Sequence, residues 1–158
     1  MDLSAIPLLS ITTFLPVLGA IFLLVLRPEK AKTAYTVGIV TTALTLLATI
    51  LIWTRGIGPG ISQVEEFSWI PSIGIAYRLG VDGISYPLVL LTAVLFLVSL
   101  IFSSKIKENA NLFVELVLLL QTACLGVFLS LDLFLFYVFF EITLVGMYFI
   151  IAKWGHEH

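Results

Sequence analysis

Five apolar runs, each of roughly 20 residues, alternate with short polar segments along this chain, at 5–26, 34–53, 84–102, 112–130 and 133–152. A helix rises about 1.5 Å per residue, so a run of this length matches the hydrocarbon core of a bilayer, about 30 Å thick. The pattern predicts five transmembrane helices. RPEKAK at 27–32 and SSKIKENAN at 103–111 are charged connections that lipid cannot hold. Only Leu131 and Asp132 separate the fourth and fifth runs, which predicts a tight helical hairpin. The longest connection, 54–83, breaks the helical pattern with Gly and Pro, and within it ISQVEEFSW and SIGIAYRL read as two short strands. The expected fold class is an all-α polytopic membrane protein, with a small extramembrane β-hairpin between the second and third helices. Trp53, Trp69 and Tyr77 are expected near the interface. Two segments follow: 1–83 with the first two helices and the hairpin, and 84–158 with the third to fifth helices.

Composition supports the same class. Of the 158 residues, 60% are hydrophobic and 11% charged, and the mean hydropathy is +1.15. That is more apolar surface than a water-soluble core of this size can hide. A formal charge of −2, with no basic stripe interleaved with aromatics, argues against a nucleic-acid partner. The single cysteine, Cys124, lies in an apolar run and reads as a small packed hydrophobe. MDLSAIPLLS lacks the positive start of a signal peptide, so the first helix is expected to be retained. Basic residues set the orientation: Arg27, Lys30, Lys32, Lys105, Lys107 and Lys153 fall on one side, Arg55 and Arg78 on the other. The positive-inside rule puts the first group in the cytoplasm and the N-terminus and hairpin outside. An odd number of spans ends the chain opposite its start, which suits a fragment or module as well as a finished protein.

Inside the membrane, charge is the informative feature. Glu141 stands nine residues into the fifth run. An ionisable group there costs a few kcal/mol, about 2.5–3.5 on insertion scales, and usually faces a protein interior or a water-filled path. Two readings stand: a group on an ion pathway, or a protonated acid hydrogen-bonded to a neighbouring helix. Tyr137 and Tyr148 share its helical face, as hydrogen-bonding or water-ordering groups or as plain packing. Asp132, nine residues earlier, lies on the opposite face about 13 Å away, and reads as a helix cap before a relay partner. Glu115 and Gln121 bracket the basic-end half of the fourth run. They either line an access path or serve snorkelling and interhelical hydrogen bonding. Asp82 in GVDGIS is a natural cap for the third helix. His156 and His158 flank Glu157 at a spacing that suits a solvated tail better than a helical metal site. There is no phosphate loop, nucleophile elbow, Cys-x-x-Cys or HExxH, so any catalysis is expected in a partner.

GVDGIS at 80–85, the PLVLLT span that follows it and LGVFLSLDLFLFYVFFEITLVGMYFIIAKWG at 125–155 resemble the N-terminal third of the antiporter-like membrane subunits of respiratory complex I, NuoM type. Those subunits are themselves similar to subunits of Mrp cation/proton antiporters. The likeness covers most of 80–158, and 1–79 agrees more in layout than in letters. It implies that Glu141 carries the family's principal proton-translocating role. It also implies a complete fold of about fourteen helices with two inverted five-helix repeats, each with a broken helix. This chain would supply the first three helices and the opening two of the first repeat, without the later lysines. Gly146 stands where relatives commonly carry proline; glycine permits a bend that proline forces.

The expected function is thus proton translocation by a membrane-arm subunit of a complex I-like oxidoreductase taking electrons from NADH, or a related donor, to quinone. The alternatives are a Mrp-type cation/proton antiporter subunit or a non-pumping scaffold. The resemblance implies other membrane-arm subunits and a peripheral redox arm as partners, with flavin, iron–sulfur clusters and quinone held there. It places the chain in an energy-transducing membrane, the prokaryotic plasma membrane or its equivalent.

Overall fold

In a computed structural model, residues 7–55, 60–70, 72, 74–105 and 109–154 are described. They form α1 (Leu8–Leu26), α2 (Ala31–Thr54), β1 (Ser62–Ile70), β2 (Ile75–Val81), α3 (Ser85–Phe102), α4 (Ala110–Leu129) and α5 (Leu133–Trp154), with a short 3-10 turn at Ser103–Lys105. His156, Glu157 and His158 lie outside the described residues. Each apolar run has become one helix, and all five are long and apolar enough to span a membrane. The ends run slightly past the apolar stretches: α2 takes in Lys32 and α5 takes in Lys153. Helical hydrogen bonding continues into the interface, where long lysine stems keep their charges in water. The strands pair antiparallel, with Phe67 opposite Tyr77 and Glu66 opposite Arg78. β2 starts at Ile75, later than the sequence pattern suggests, because Gly74 turns the chain at φ 74°.

The fourth helix is the centre of the bundle. It packs against α1, α2, α3 and α5, and 56% of its span is buried, against 17% for α5, which lies outside the other four against α4. Small residues permit the close approaches. A Cβ on Gly38 would meet Val114 Cγ1 at 2.6 Å and Leu100 Cδ1 at 3.1 Å, and a Cβ on Gly19 would meet Thr41 Oγ1 at 2.5 Å. The interior also holds a band of threonines: Thr12, Thr13, Thr42, Thr45, Thr49 and Thr122 are all buried. Most satisfy themselves locally, as Thr13, Thr45 and Thr49 do by donating to the carbonyls of Leu9, Thr41 and Thr45 at 2.7–2.9 Å. Thr122 serves a neighbour. Pro16 interrupts the hydrogen-bond ladder of α1, and the N–H of Val17 donates to Thr122 Oγ1 on α4 at 3.1 Å.

Phe139 of α5 lies flat over Gly126 of α4, where any Cβ would overlap the ring. Gly126→Ala should therefore push α5 off α4 or force Phe139 from its rotamer. The expected loss is about 1–3 kcal/mol of stability. Thermal unfolding of the detergent-solubilised protein, compared with Gly146→Ala, checks this. Gly146 has room, since its nearest neighbour Leu120 is 3.6 Å from the Cβ position, and that variant should be close to neutral.

The β-hairpin is tied to the helix ends beneath it. Gln63 Nε2 donates to the Ile52 carbonyl at the end of α2 (3.1 Å), and the Leu131 N–H donates to the Arg78 carbonyl (2.8 Å). The Tyr86 hydroxyl of α3 donates to the Thr49 carbonyl at 2.9 Å, and Trp53 packs against the Tyr86 ring. Trp53 is exposed at this end, as an interfacial aromatic would be.

Candidate functional site

α5 continues through Gly146 without a break. Its inner side is the stripe Leu135, Phe139 and Gly146, which is buried, with Phe139 meeting α4 at Gly126 and Gly146 next to Leu120. At about 100° per residue, Glu141 lies about 140° round the helix from Gly146, on the side turned away from α4. It is half-buried, and the Tyr137 phenol lies one turn earlier on the same side of the helix. Tyr148 falls on the same side, its ring edge against Phe149 with centroids 5.5 Å apart. Tyr137 is 57% and Tyr148 68% exposed, so this face is open to whatever lies beside α5. A mid-span carboxyl on a face open to its surroundings can pair with an approaching charge.

The other sequence candidates are elsewhere. Gln121 is fully buried inside the bundle, and both polar atoms of its amide lack a hydrogen-bond partner among the described residues. It lies two turns from Val114 on the face of α4 that meets α2, so it does not join Glu141. Glu115 is half-buried at the basic end of α4, in a pocket shared with Arg27, whose charge it feels. Asp132 stands at the far end of the bundle as the N-terminal cap of α5. Its Oδ1 accepts from the N–H groups of Phe134 (2.9 Å) and Leu135 (3.2 Å), and Oδ2 from Ala76 in β2 (3.1 Å). The Ala76 N–H, followed by those of Leu135 and Phe134 and the Arg78 charge, holds its carboxyl below the usual range. Asp82 does the same for α3, accepting from Ser85 (2.7 Å) and Ile84 (2.9 Å), whose N–H groups lower its pKa.

Sequence reasoning passed over Glu65. Its carboxylate sits at the N-terminus of α1 and accepts from the Leu9 N–H (2.7 Å), the Ser10 N–H (3.0 Å) and the Ser10 hydroxyl. Ser10 Oγ is also 2.7 Å from the Tyr77 hydroxyl. Burial raises the pKa of that phenol, and the Glu65 charge adds to the rise while the Ser10 contact opposes it. The first turn of α1 has no side-chain cap or acid of its own. That missing cap is the signal in the sequence, although it does not say which acid fills the gap.

No family model matches the chain. It is similar to NADH-quinone oxidoreductase subunit M of Rickettsia bellii, with 36% identity over 161 residues covering 97% of this chain and 33% of the relative. It is 34% identical to NAD(P)H-quinone oxidoreductase chain 4 1 of Picosynechococcus, covering 98% of this chain and 30% of the relative. A shorter match, 45% identical over 92 residues, is to F(420)H(2) dehydrogenase subunit M of Methanosarcina mazei, covering 58% of this chain and 19% of the relative. The chain spans about a third of the length of the first two. In fold it is similar to a chain of the membrane-bound sulfane sulfur reductase, an archaeal respiratory membrane complex. That match has a TM-score of 0.72 and 20% identity, covering 91% of this chain and 23% of the other.

Proposed function

We propose that this chain, similar over 97% of its length to NADH-quinone oxidoreductase subunit M, is a subunit of that type that helps build the membrane arm of a respiratory complex and carries protons on Glu141. The observation that supports the reading is the direction in which Glu141 faces. Much of the polar content of the bundle, including Thr13, Thr42, Thr45, Thr49 and Gln121, is turned inward and buried. Glu141 and Tyr137 instead share the side of α5 that no other described helix covers. A carboxyl held there against a cost of a few kcal/mol, about 2.5–3.5, needs a partner outside these five helices. The relatives are about three times as long, which leaves helices to meet it. A cation that approaches and withdraws on that side favours the charged and the neutral form of a carboxyl in turn. Alternation of that charge loads and unloads a proton. Electron transfer, with its flavin, iron–sulfur clusters and quinone, belongs to partner subunits in this reading.

Ion uptake into vesicles containing the assembled complex, measured for Glu141→Gln alongside its abundance, tests the proposal. Full uptake at normal abundance overturns it and favours a scaffold role.

The proposed orientation has the N-terminus and hairpin outside, on the six-to-two distribution of basic residues. In a Cys124→Ser background, a cysteine at Ile61 should react with an impermeant outside reagent and one at Lys30 should not. The reverse pattern inverts the topology.

A further inference from the structure

We propose that the basic end of the bundle holds one phospholipid with a phosphoethanolamine head, the head in a polar pocket between α1 and α4 and a tail in the groove between α4 and α5. The pocket, about 340 Å³, is lined by Arg27, Glu29, Asn109, Asn111 and Glu115, within the range of small-ligand sites. An apolar groove of about 510 Å³ lies beside it, between Leu112 and Leu116 of α4 and Phe149, Ala152 and Lys153 of α5. Leu112 lines both. The two form one site with a wet end at the helix termini and an oily end that runs inward.

The charges in the pocket select the head. Arg27 is the C-cap of α1 in a left-handed conformation, φ 45°. Its Nε donates to the Leu24 carbonyl at 3.3 Å, and the residue lines the pocket. Guanidinium is suited to phosphate, and the N-terminus of the 20-residue α4, which opens on the same pocket, favours an anion as well. Glu115 accepts no hydrogen bond among the described residues, although it is half-buried and one turn inside a membrane span. With Glu29 it offers two carboxylates to a primary ammonium. With Lys153 at the groove counted beside Arg27, two positive side chains face two negative ones, a balance that suits a zwitterion over a head with net charge. Asn111 Nδ2 donates to the Pro28 carbonyl at 2.9 Å and so fixes the loop after α1 against the start of α4. The pocket is therefore pre-formed by contacts that do not use the lipid. This site is separate from Glu141 and does not rest on its role.

The test is photo-crosslinking of the protein, purified with its membrane partners into nanodiscs, by phosphatidylethanolamine or phosphatidylglycerol carrying a diazirine in one tail. The ethanolamine lipid should label peptides spanning 112–116 and 149–153 at least about fivefold more than the glycerol lipid, a ratio that corresponds to about 1 kcal/mol. Arg27→Gln and Glu115→Gln should each bring the ratio close to one, and Leu112→Trp should abolish labelling by both. Equal labelling by the two lipids in the unaltered protein overturns the choice of head. Absence of label in these peptides overturns the site, and means that protein fills the groove.

Discussion

Complexes carrying Glu141→Gln should assemble in normal amounts and lose most of their coupled ion uptake, by on the order of tenfold or more, as when a proton-transfer group is removed. Glutamine keeps the length and hydrogen-bonding capacity of the side chain, so the packing of α5 survives. What it cannot do is titrate. Glu141→Asp retains a titrating carboxyl but withdraws it by one methylene from Tyr137 and from any group facing it, so part of the uptake should remain. Tyr137→Phe leaves the acid in place and removes only the nearby hydroxyl, so it costs at most one hydrogen bond, about 1 kcal/mol, and should reduce uptake by no more than roughly fivefold. The order Tyr137→Phe mildest, Glu141→Asp next and Glu141→Gln most severe, all at equal abundance, is the signature of a proton carrier. A structural neutral acid gives a different pattern. Glu141→Gln then pumps fully, and any defect appears as lost complex.

The five helices were legible because a bilayer imposes a length and excludes charge, and both leave their mark on a sequence. The hairpin was legible from alternation and from Gly and Pro, apart from the start of β2, which depends on the turn at Gly74. The rank of the helices within the bundle was not. α4 and α5 are both strongly apolar, yet one is central and the other peripheral. Lipid tails are as apolar as leucine, so hydropathy cannot separate a helix that faces protein from one that faces lipid. Small residues mark the difference better: Gly126 is where Phe139 seats α5 on α4. Of the candidate site, Glu141 and Tyr137 were legible from spacing along one helix. Their direction became readable only once the inner face of α5 was known. The inward burial of Gln121 and the pocket around Glu115 depend on helices distant in sequence, and no local pattern encodes them.

Glu65→Ala should release the hairpin from α1 and lower the stability of the hairpin end of the bundle by about 2–3 kcal/mol, the range for a charged acceptor bound to several donors. The carboxylate meets two N–H groups of the first helical turn and the Ser10 hydroxyl, and it also opposes the positive end of the helix dipole. Removing it strands those donors beneath the hairpin, where water has limited access. Glu65→Gln keeps one acceptor oxygen but no charge, and should fall between the two. Tyr77 adds a pH limb. Its phenol has a raised pKa in the folded protein, so its contribution is complete below the ordinary tyrosine range and is lost as pH rises through the higher folded value. Alkaline loosening of the hairpin should therefore begin above about pH 10, the ordinary tyrosine value, and Tyr77→Phe should remove that limb. Protease cleavage in the 54–83 segment, followed against temperature and pH, reads both effects. If Glu65→Ala protects that segment as well as the unaltered protein does, α1 is held by apolar packing alone and the carboxylate is incidental. If cleavage rises while α3–α5 stay intact, the capping of α1 by an acid 55 residues along the chain is what fastens the hairpin to the membrane bundle.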